Sequence, residues 1–423
     1  MNEDHIRLES VNFYDSSTGT FKFGDISVRN GVIESISEKN IEERSEIFVI
    51  PGLVNTHTHI AMSRFRGLLD DMDLEHFLIK TFDLDRDRTD DDIYHSSIIG
   101  MYELIMNGVT SFMDLYYSEN IIAMAASDMG IRAFLSWVTL DPDKTTQKGN
   151  PLDNAENFIK EFSGKKGGYV NPSIGIQGVY VASMDNISLA GDISRRYNTV
   201  LHMHLAETRK EVYDYMDEHG KRPALDLLDH NLIDNRTNMA HCVWLTKEEI
   251  EKIGKARGNV SWNSVSNHKL GVGGVPAIPE LMESGANIGL GTDSNGSNNS
   301  LNLLETAKHG SLAIKNSRWD ASVLTSRQIF HMLTESGGKS TGMKDLGKIK
   351  VSAPADLLVI DGNNYSLNMA RSSDFINDLV YSMSPSAIRD VIINGKFVKK
   401  DFKIQDEIEK KYRESVKWIR ERF

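Results

Sequence analysis

The chain has 423 residues, of which 40% are hydrophobic and 26% are charged, a composition typical of globular proteins. Its formal net charge of −12 makes the phosphate backbone of a nucleic acid an unfavourable partner. The single cysteine, Cys242, excludes an intramolecular disulfide and suits a reducing compartment. No apolar run approaches the ~18 to 20 residues of a membrane span, and residues 1–5 do not resemble a signal peptide, so we expect a cytoplasmic protein that binds no membrane.

The two ends of the chain carry short segments of β-type sequence. Four such segments lie at 21–28, 32–36, 355–360 and 391–397. Neither terminal pair could bury an apolar face alone, so we expect residues 1–51 and 347–403 to form one small composite β-sandwich domain. Residues 404–423 carry apolar side chains at helical spacing, which predicts a C-terminal helix docked on the protein.

Between these ends, short apolar segments alternate with longer helix-like stretches such as 92–106 and 247–255. Eight candidate strands lie at 52–55, 110–113, 133–135, 173–176, 200–203, 238–240, 259–261 and 287–290. Eight strands that alternate with helices are the pattern of a (β/α)8 barrel. The sequence therefore predicts an α/β fold in which residues 52–346 form a TIM barrel.

The segment 51–59, PGLVNTHTH, is the strongest single indication of chemistry in the chain. Residues two apart on a strand share one face, so His57 and His59 can direct two imidazoles to one point. Two convergent imidazoles are half of a typical zinc site. Spacing alone is weak support, because His202 and His204 repeat it.

Polar residues at the ends of other candidate strands extend this site, because a barrel gathers the carboxyl ends of its strands at one face. His204 ends the fifth candidate strand, and Glu207 follows three residues later. His241 ends the sixth strand, and Asp293 follows the eighth. Imidazoles and a carboxylate are ordinary ligands of zinc or iron. The pattern therefore predicts a metal site at the carboxyl ends of the strands.

Further short motifs accompany the histidine pair over nearly the whole chain. They are HLAET at 204–208, AHCV at 240–243, SNHKL at 266–270, GTD at 291–293, SNNSLNL at 297–303 and ADLLV at 355–359. Together they resemble the amidohydrolase superfamily, in particular the branch of methylthioadenosine and S-adenosylhomocysteine deaminases. Guanine and cytosine deaminases and triazine hydrolases are more distant cousins. The resemblance implies a distorted (β/α)8 barrel flanked by the composite β-sandwich.

The resemblance also implies one divalent metal per chain, zinc with iron as the alternative. Matched position by position, its ligands are His57, His59, His204 and Asp293. Glu207 and His241 are implied to lie beside the metal. The family pattern has no ligand at His202, so we interpret its spacing from His204 as coincidental.

Three residues have implied catalytic roles. A metal lowers the pKa of bound water from about 15.7 toward ~7, so that a metal-bound hydroxide can attack an amidine-like ring carbon. Glu207 would protonate the adjacent ring nitrogen and help the amine to leave as ammonia. Asp293 would accept the proton from the water, and His241 would orient the water or stabilise developing charge.

The expected substrate pocket departs from the family pattern. His76 stands where the family has tryptophan, Trp137 where members that bind homocysteine have arginine, and Gln177 and Trp262 where it has histidines. Only Asp85 keeps the chemical type of its counterpart, a ribose-binding glutamate. We expect all five to contact substrate, with His76, Trp137 and Trp262 able to stack on a flat heterocycle. Loss of the cationic clamp disfavours the homocysteine tail.

The resulting hypothesis is a metal-dependent aminohydrolase that acts on the adenine of methylthioadenosine, 5′-deoxyadenosine or S-adenosylhomocysteine. One alternative is hydrolysis of another heterocycle, such as guanine, cytosine or a triazine carrying an amine or a chloride. A halide leaves without protonation, so Glu207 favours deamination. The other alternative is a non-catalytic scaffold, which the presence of every ligand disfavours. The partner is then a small heterocycle, and a homo-oligomer is compatible with the sequence.

Overall fold

The structure, a computed structural model, describes residues 5–39, 45–367 and 375–422. Four stretches lie outside the described residues: the polar start at 1–4, residues 40–44 and 368–374 of the predicted terminal domain, and residue 423 of the predicted helix. In chain order the strands are β1 (His5–Asp15), β2 (Thr20–Arg29), β3 (Val32–Glu38), β4 (Ile47–Pro51), β5 (Leu53–Thr58), β6 (Val109–Tyr116), β7 (Arg132–Thr139), β8 (Val170–Ile176), β9 (Leu201–Leu205), β10 (Thr237–His241), β11 (Asn259–Trp262), β12 (Asn287–Leu290), β13 (Leu357–Asp361), β14 (Ile388–Ile393), β15 (Lys396–Lys400) and β16 (Lys403–Ile404).

The helices alternate with the strands over the middle of the chain. They are α1 (Leu74–Asp85), α2 (Asp90–Met106), α3 (Glu119–Met129), α4 (Pro151–Phe162), α5 (Met184–Tyr197), α6 (Arg209–His219), α7 (Pro223–Asp229), α8 (Lys247–Ala256), α9 (Ser264–Lys269), α10 (Ile278–Ser284), α11 (Leu303–Arg318), α12 (Ser326–Leu333), α13 (Glu335–Ser340), α14 (Phe375–Tyr381) and α15 (Asp406–Arg422). Among the described helices, none combines the length and the hydropathy needed to cross a bilayer.

Strands β5 to β12 close into a parallel barrel in the order β10-β11-β12-β5-β6-β7-β8-β9. Each of the eight predicted segments overlaps one of these strands. Every residue of β5 and β6 is buried, as expected of strands covered by helices on one side and by the barrel interior on the other. The predicted α/β barrel is therefore confirmed.

The remaining strands form one mixed sheet from both ends of the chain, in the order β16-β15-β14-β13-β4-β1-β2-β3. Strand β4, which leads directly into the barrel, pairs with β1 on one side and with β13 on the other. The predicted second sheet from both termini is confirmed, and it also contains β1 and β4, which the sequence analysis did not identify. The predicted limits of the domains stay predictions.

A buried ion pair joins the two sheets. Arg132, at the start of β7, donates from Nε to Asp356 Oδ2 at 2.8 Å and from a terminal nitrogen to Asp356 Oδ1 at 3.0 Å. The same carboxylate accepts from the Asn394 amide in the β14–β15 turn at 2.7 Å. A bidentate arginine pair in a buried setting fixes geometry as well as charge. Asp356, the aspartate of the ADLLV motif, therefore anchors the terminal sheet on the barrel.

Helix α15 docks on α2 through stacked aromatic rings. The ring centroids of Tyr102 and Tyr412 are 3.8 Å apart, and those of His95 and Trp418 are 4.8 Å apart. These contacts place the C-terminal helix on the outer side of the barrel, against α2.

Candidate metal centre and active site

A cavity opens at the carboxyl ends of the barrel strands, where the parallel arrangement gathers polar side chains from distant parts of the sequence. Its polar lining is His59, Thr81, Asp85, Gln177, His204, Glu207, His241, Asp293 and Ser294, together with the tyrosines at 116, 117 and 180. Its apolar lining is Met62, Leu74, Phe77, Leu78, Phe82, Leu115, Val138 and Leu270. The lining thus combines titratable groups from the strand ends with apolar side chains, four of which come from α1.

His59 and His204 are each oriented by a backbone carbonyl. His59 Nδ1 lies 2.5 Å from the oxygen of Leu115, and His204 Nδ1 lies 2.6 Å from the oxygen of Gln177. A carbonyl only accepts, so each Nδ1 carries the proton and each Nε2 of a neutral ring presents a lone pair. This is the tautomer that a histidine ligand needs.

The two Nε2 atoms of His59 and His204 lie 3.2 Å apart. With both protons on Nδ1, neither Nε2 can donate to the other, so two lone pairs face one another across this short distance. A cation placed between them relieves that repulsion. Burial also lowers the pKa of both histidines, which keeps the rings neutral. These residues therefore fit a metal.

His57 adds a third donor from the interior of the barrel. Its ring is fully buried, and its Nε2 has no hydrogen-bond partner. Donor atoms of His57, His59 and Asp293 lie within 4.8 Å of one another, as do those of His57, His204 and His241. An unpaired buried nitrogen among such a set of donor atoms fits a metal ligand.

Asp293 closes the set from the loop after β12. Its Oδ1 is 3.5 Å from His59 Nε2 and 3.8 Å from His57 Nε2. The Ser294 amide donates to Oδ1 at 2.7 Å, and the Ser266 hydroxyl donates to Oδ2 at 2.6 Å. These bonds hold the carboxylate with lone pairs still free toward the histidines.

His241 lies beside the same point and is oriented by a side chain. Its Nδ1 is 2.7 Å from Asn267 Oδ1, which accepts and so leaves Nε2 as an acceptor. Its Nδ1 is also 3.7 Å from Glu207 Oε1. His241 therefore links the donor cluster to the carboxyl group of Glu207.

Glu207 lines the cavity and is 7% exposed. Burial first, and the nearby charge of Asp293 second, raise the pKa of Glu207 to about 8. A carboxyl group with this pKa holds its proton at neutral pH and can give it to a bound ligand. The structure thus brings together all six residues for which the sequence predicted metal binding or catalysis.

Two of the predicted substrate contacts also reach the cavity. Gln177 lines it beside His204, and Asp85 lines it from the last turn of α1. Asp85 is 4% exposed and accepts from Arg64 at 2.6 Å, while Arg88 lies 3.3 Å from its other oxygen. The two arginines therefore balance the charge of Asp85, and its remaining lone pairs can accept hydrogen bonds from a ligand in the cavity.

The other three predicted substrate contacts lie elsewhere. The His76 side chain is 73% exposed and pairs with Asp73 in the first turn of α1. Trp137 donates its indole N–H to Gln147 at 2.8 Å and packs near Phe158 of α4. These side chains do not line the cavity, and the expectation that they stack on substrate is corrected.

Trp262 is 1% exposed and does not line the cavity either. Its ring fills the space beside Gly310 of α11, where an added Cβ would lie 2.7 Å from it. Successive residues on a strand point to opposite faces, and Trp262 takes the face toward the helices. It is a packing residue between barrel and helix.

The sequence analysis assigned His202 no role, and the structure places it against a donor of the cluster. Its Nε2 lies 2.9 Å from His57 Nδ1, and its Nδ1 lies 3.4 Å from the Ser136 hydroxyl. His202 belongs to neither group of metal donors, and it contacts one of the donors from the interior of the barrel. A residue that bonds the second nitrogen of a histidine ligand fixes its orientation.

We predict about one Zn²⁺ or Fe²⁺ per purified chain, because the donor set is neutral imidazole and carboxylate. His204→Ala removes one of the two opposed lone pairs, so it should abolish stoichiometric metal binding, as measured by elemental analysis. A chelator should remove the activity together with the metal. Full activity in a demonstrably metal-free sample would contradict this prediction.

His202→Ala should weaken metal affinity by about 10- to 100-fold, because His57 loses the partner that orients its ring. Competition against a chelator of known affinity measures this change. His230→Ala removes an exposed histidine remote from the cluster and serves as the matched control, with unchanged affinity expected. Wild-type metal affinity in His202→Ala would contradict this prediction and show that His202 only packs in the barrel interior.

Comparison with curated proteins finds relatives over most of the chain. It is 32% identical over 397 residues to the 5′-deoxyadenosine deaminase of Methanosarcina barkeri, covering 92% of this chain and 91% of the relative. It is 30% identical over 421 residues to the 5-methylthioadenosine/S-adenosylhomocysteine deaminase of Caldanaerobacter subterraneus subsp. tengcongensis, covering 99% of this chain and 95% of the relative.

Solved structures share the fold at lower identity. A zinc-bound adenosine deaminase from Xanthomonas campestris superposes with a TM-score of 0.86 at 23% identity, over 94% of both chains. A triazine hydrolase from Arthrobacter aurescens superposes with a TM-score of 0.88 at 19% identity, over 99% of this chain and 100% of the other. Residues 48–398 also match the model of the amidohydrolase family. Because this match covers most of the chain, and relatives of at least 30% identity cover more than nine-tenths of it, the chain belongs to the amidohydrolase family.

Proposed function

We propose that this protein is a metal-dependent aminohydrolase that deaminates the adenine ring of a 5′-substituted adenine nucleoside such as 5′-deoxyadenosine or 5′-methylthioadenosine. The observation that carries the proposal is the position of Glu207, a buried carboxyl group with a raised pKa, beside a cluster of metal donors in the cavity at the carboxyl ends of the strands. Curated relatives named as deaminases of these nucleosides support the choice of substrate class.

His57, His59, His204 and Asp293 would hold the metal, and a donor atom of His241 lies within 4.8 Å of those of His57 and His204. When bound, a divalent metal lowers the pKa of water from about 15.7 toward ~7 and so supplies a nucleophile at neutral pH. Zinc suits this donor set, and iron is the alternative.

The residues of the chain supply the proton transfers. Glu207 donates its proton to the ring nitrogen next to the attacked carbon, which becomes tetrahedral. Asp293 accepts one proton from the attacking water. The Glu207 carboxylate then takes the proton of the new hydroxyl group and passes it to the amine, which leaves as ammonia while the carbonyl forms, and the proton held by Asp293 restores Glu207. His241, fixed by Asn267, donates no proton but orients the oxygen that becomes the product carbonyl.

Glu207 also favours an amine over a halide as the leaving group. An amine leaves a tetrahedral carbon only after it is protonated, and a protonated carboxyl group next to the donor cluster serves that step. A halide leaves as the anion and needs no such acid. The proposal is therefore deamination and not dehalogenation.

The cavity wall favours an uncharged 5′-substituent. Helix α1 lines it with Leu74, Phe77, Leu78 and Phe82, and its described lining contains no lysine or arginine. A carboxylate tail would lose its hydration there without gaining a cation. At the far end, Asp85 can accept from the hydroxyls of a ribose, with Arg64 and Arg88 behind it to balance its charge.

Glu207→Gln should retain stoichiometric metal, while kcat falls by the ~10²- to 10⁴-fold typical of lost general acid–base catalysis. The amide keeps the size of the side chain but cannot give a proton to the ring nitrogen, so KM should change little. Ammonia release and elemental analysis measure the two quantities. Loss of metal would make Glu207 a ligand, and wild-type turnover would overturn the proposed mechanism.

The kcat/KM for 5′-deoxyadenosine or 5′-methylthioadenosine should exceed that for S-adenosylhomocysteine, because the described lining of the cavity offers no cation to the homocysteine carboxylate. A 5′-alkylthioadenosine with an uncharged tail of similar length is the matched control for size, and it should be accepted better than S-adenosylhomocysteine. Preference for S-adenosylhomocysteine would show that a cation outside the described lining binds its tail.

A further inference from the structure

Glu211 stands in the first turn of α6, four residues after Glu207, and both of its carboxylate oxygens point back toward the end of β9. Oε1 accepts from the Ala206 amide at 2.8 Å, and Oε2 accepts from the Glu207 amide at 2.8 Å. Glu211 is 8% exposed and is not among the residues that line the cavity. Its carboxylate thus binds two consecutive backbone amides, one of which belongs to the proposed proton donor.

The turn that Glu211 holds has an uncommon backbone conformation. Ala206 has a φ of +50°, in the left-handed region that residues other than glycine rarely adopt. Its carbonyl accepts from the amides of Val243 and Trp244 at 3.0 and 2.9 Å. Such a conformation persists only where neighbouring groups fix it, and here the carboxylate holds the amides while the loop after β10 holds the carbonyl.

The contacts of Glu211 differ from those of ordinary helix capping in this chain. Thr246 and Glu249 form a reciprocal capping box, in which the carboxylate accepts from the amide of the capping threonine. Thr208 caps α6 in the same way, because its hydroxyl accepts from the Glu211 amide at 3.1 Å. The Glu211 carboxylate, however, reaches beyond Thr208 to the two preceding amides. Capping of α6 therefore does not account for its position.

We propose that Glu211 is a positioning residue that holds the turn at Ala206 and Glu207 and thereby directs the Glu207 carboxyl group at the ring nitrogen of the substrate. This role rests on the proposed function of Glu207 and extends it to a residue that does not touch the substrate. A carboxylate is required because it accepts at both oxygens, whereas a glutamine accepts at one and presents an N–H to the second amide.

Glu211→Gln should therefore release one of the two amides and move Glu207 from its position. We expect kcat to fall by about 10- to 100-fold, since small misplacements of a catalytic group cost rate on this scale. KM and the metal content should stay near their wild-type values. Thr208→Ala is the matched control: it removes the cap of the same helix and should lower Tm without changing kcat by more than about twofold. Equal losses of kcat in the two variants would overturn the proposal.

A double-mutant cycle separates this role from general stabilisation. If Glu211 acts only through Glu207, then Glu211→Gln should cause no further loss of kcat in a Glu207→Gln background. Losses that multiply would overturn the role of Glu211 and leave that of Glu207 intact. Wild-type turnover in Glu207→Gln alone would overturn the proposed function itself. The two failures are therefore distinguishable.

Discussion

The site depends on two lone pairs that face one another at the carboxyl ends of the barrel strands. His59 and His204 give their Nδ1 protons to the carbonyls of Leu115 and Gln177, so their Nε2 atoms meet at 3.2 Å without a proton between them. Burial disfavours protonation of either ring as a remedy. The fold thus sets up a repulsion that a divalent cation relieves, and the carbonyls that fix the tautomers belong to the neighbouring strands of the barrel.

Backbone conformation at the strand ends is the second feature of this arrangement. Ala206, His241, Cys242 and Asp293 all have a positive φ, between +50° and +76°. Each ends or follows a barrel strand at the end where the cavity opens. Neighbouring groups hold this backbone conformation. Glu211 binds the amide of Ala206, while at Asp293 the amide donates to the His57 carbonyl and the carbonyl accepts from the Thr58 hydroxyl, both at 3.0 Å.

The terminal sheet contributes to the site indirectly. Strand β4 runs into β5, the strand of His57 and His59, and β13 pairs with β4 along its whole length. Asp356 binds Arg132 at the opposite, amino-terminal end of the barrel strands. The chain ends therefore brace the strand that carries the first two donors, while the cavity end of the barrel stays free for loops.

The sequence alone determined the residues whose role follows from position along a strand. Alternating strands and helices predicted the barrel, and polar residues at strand ends identified His57, His59, His204, Glu207, His241 and Asp293. Only the tertiary structure decided where a side chain points once several partners compete for it. Trp137 and Trp262 pack toward helices, His76 faces solvent, and His202 points inward to bond His57. The reason is that strand register and helix packing, which involve residues far apart in the chain, determine which face of each strand meets the cavity.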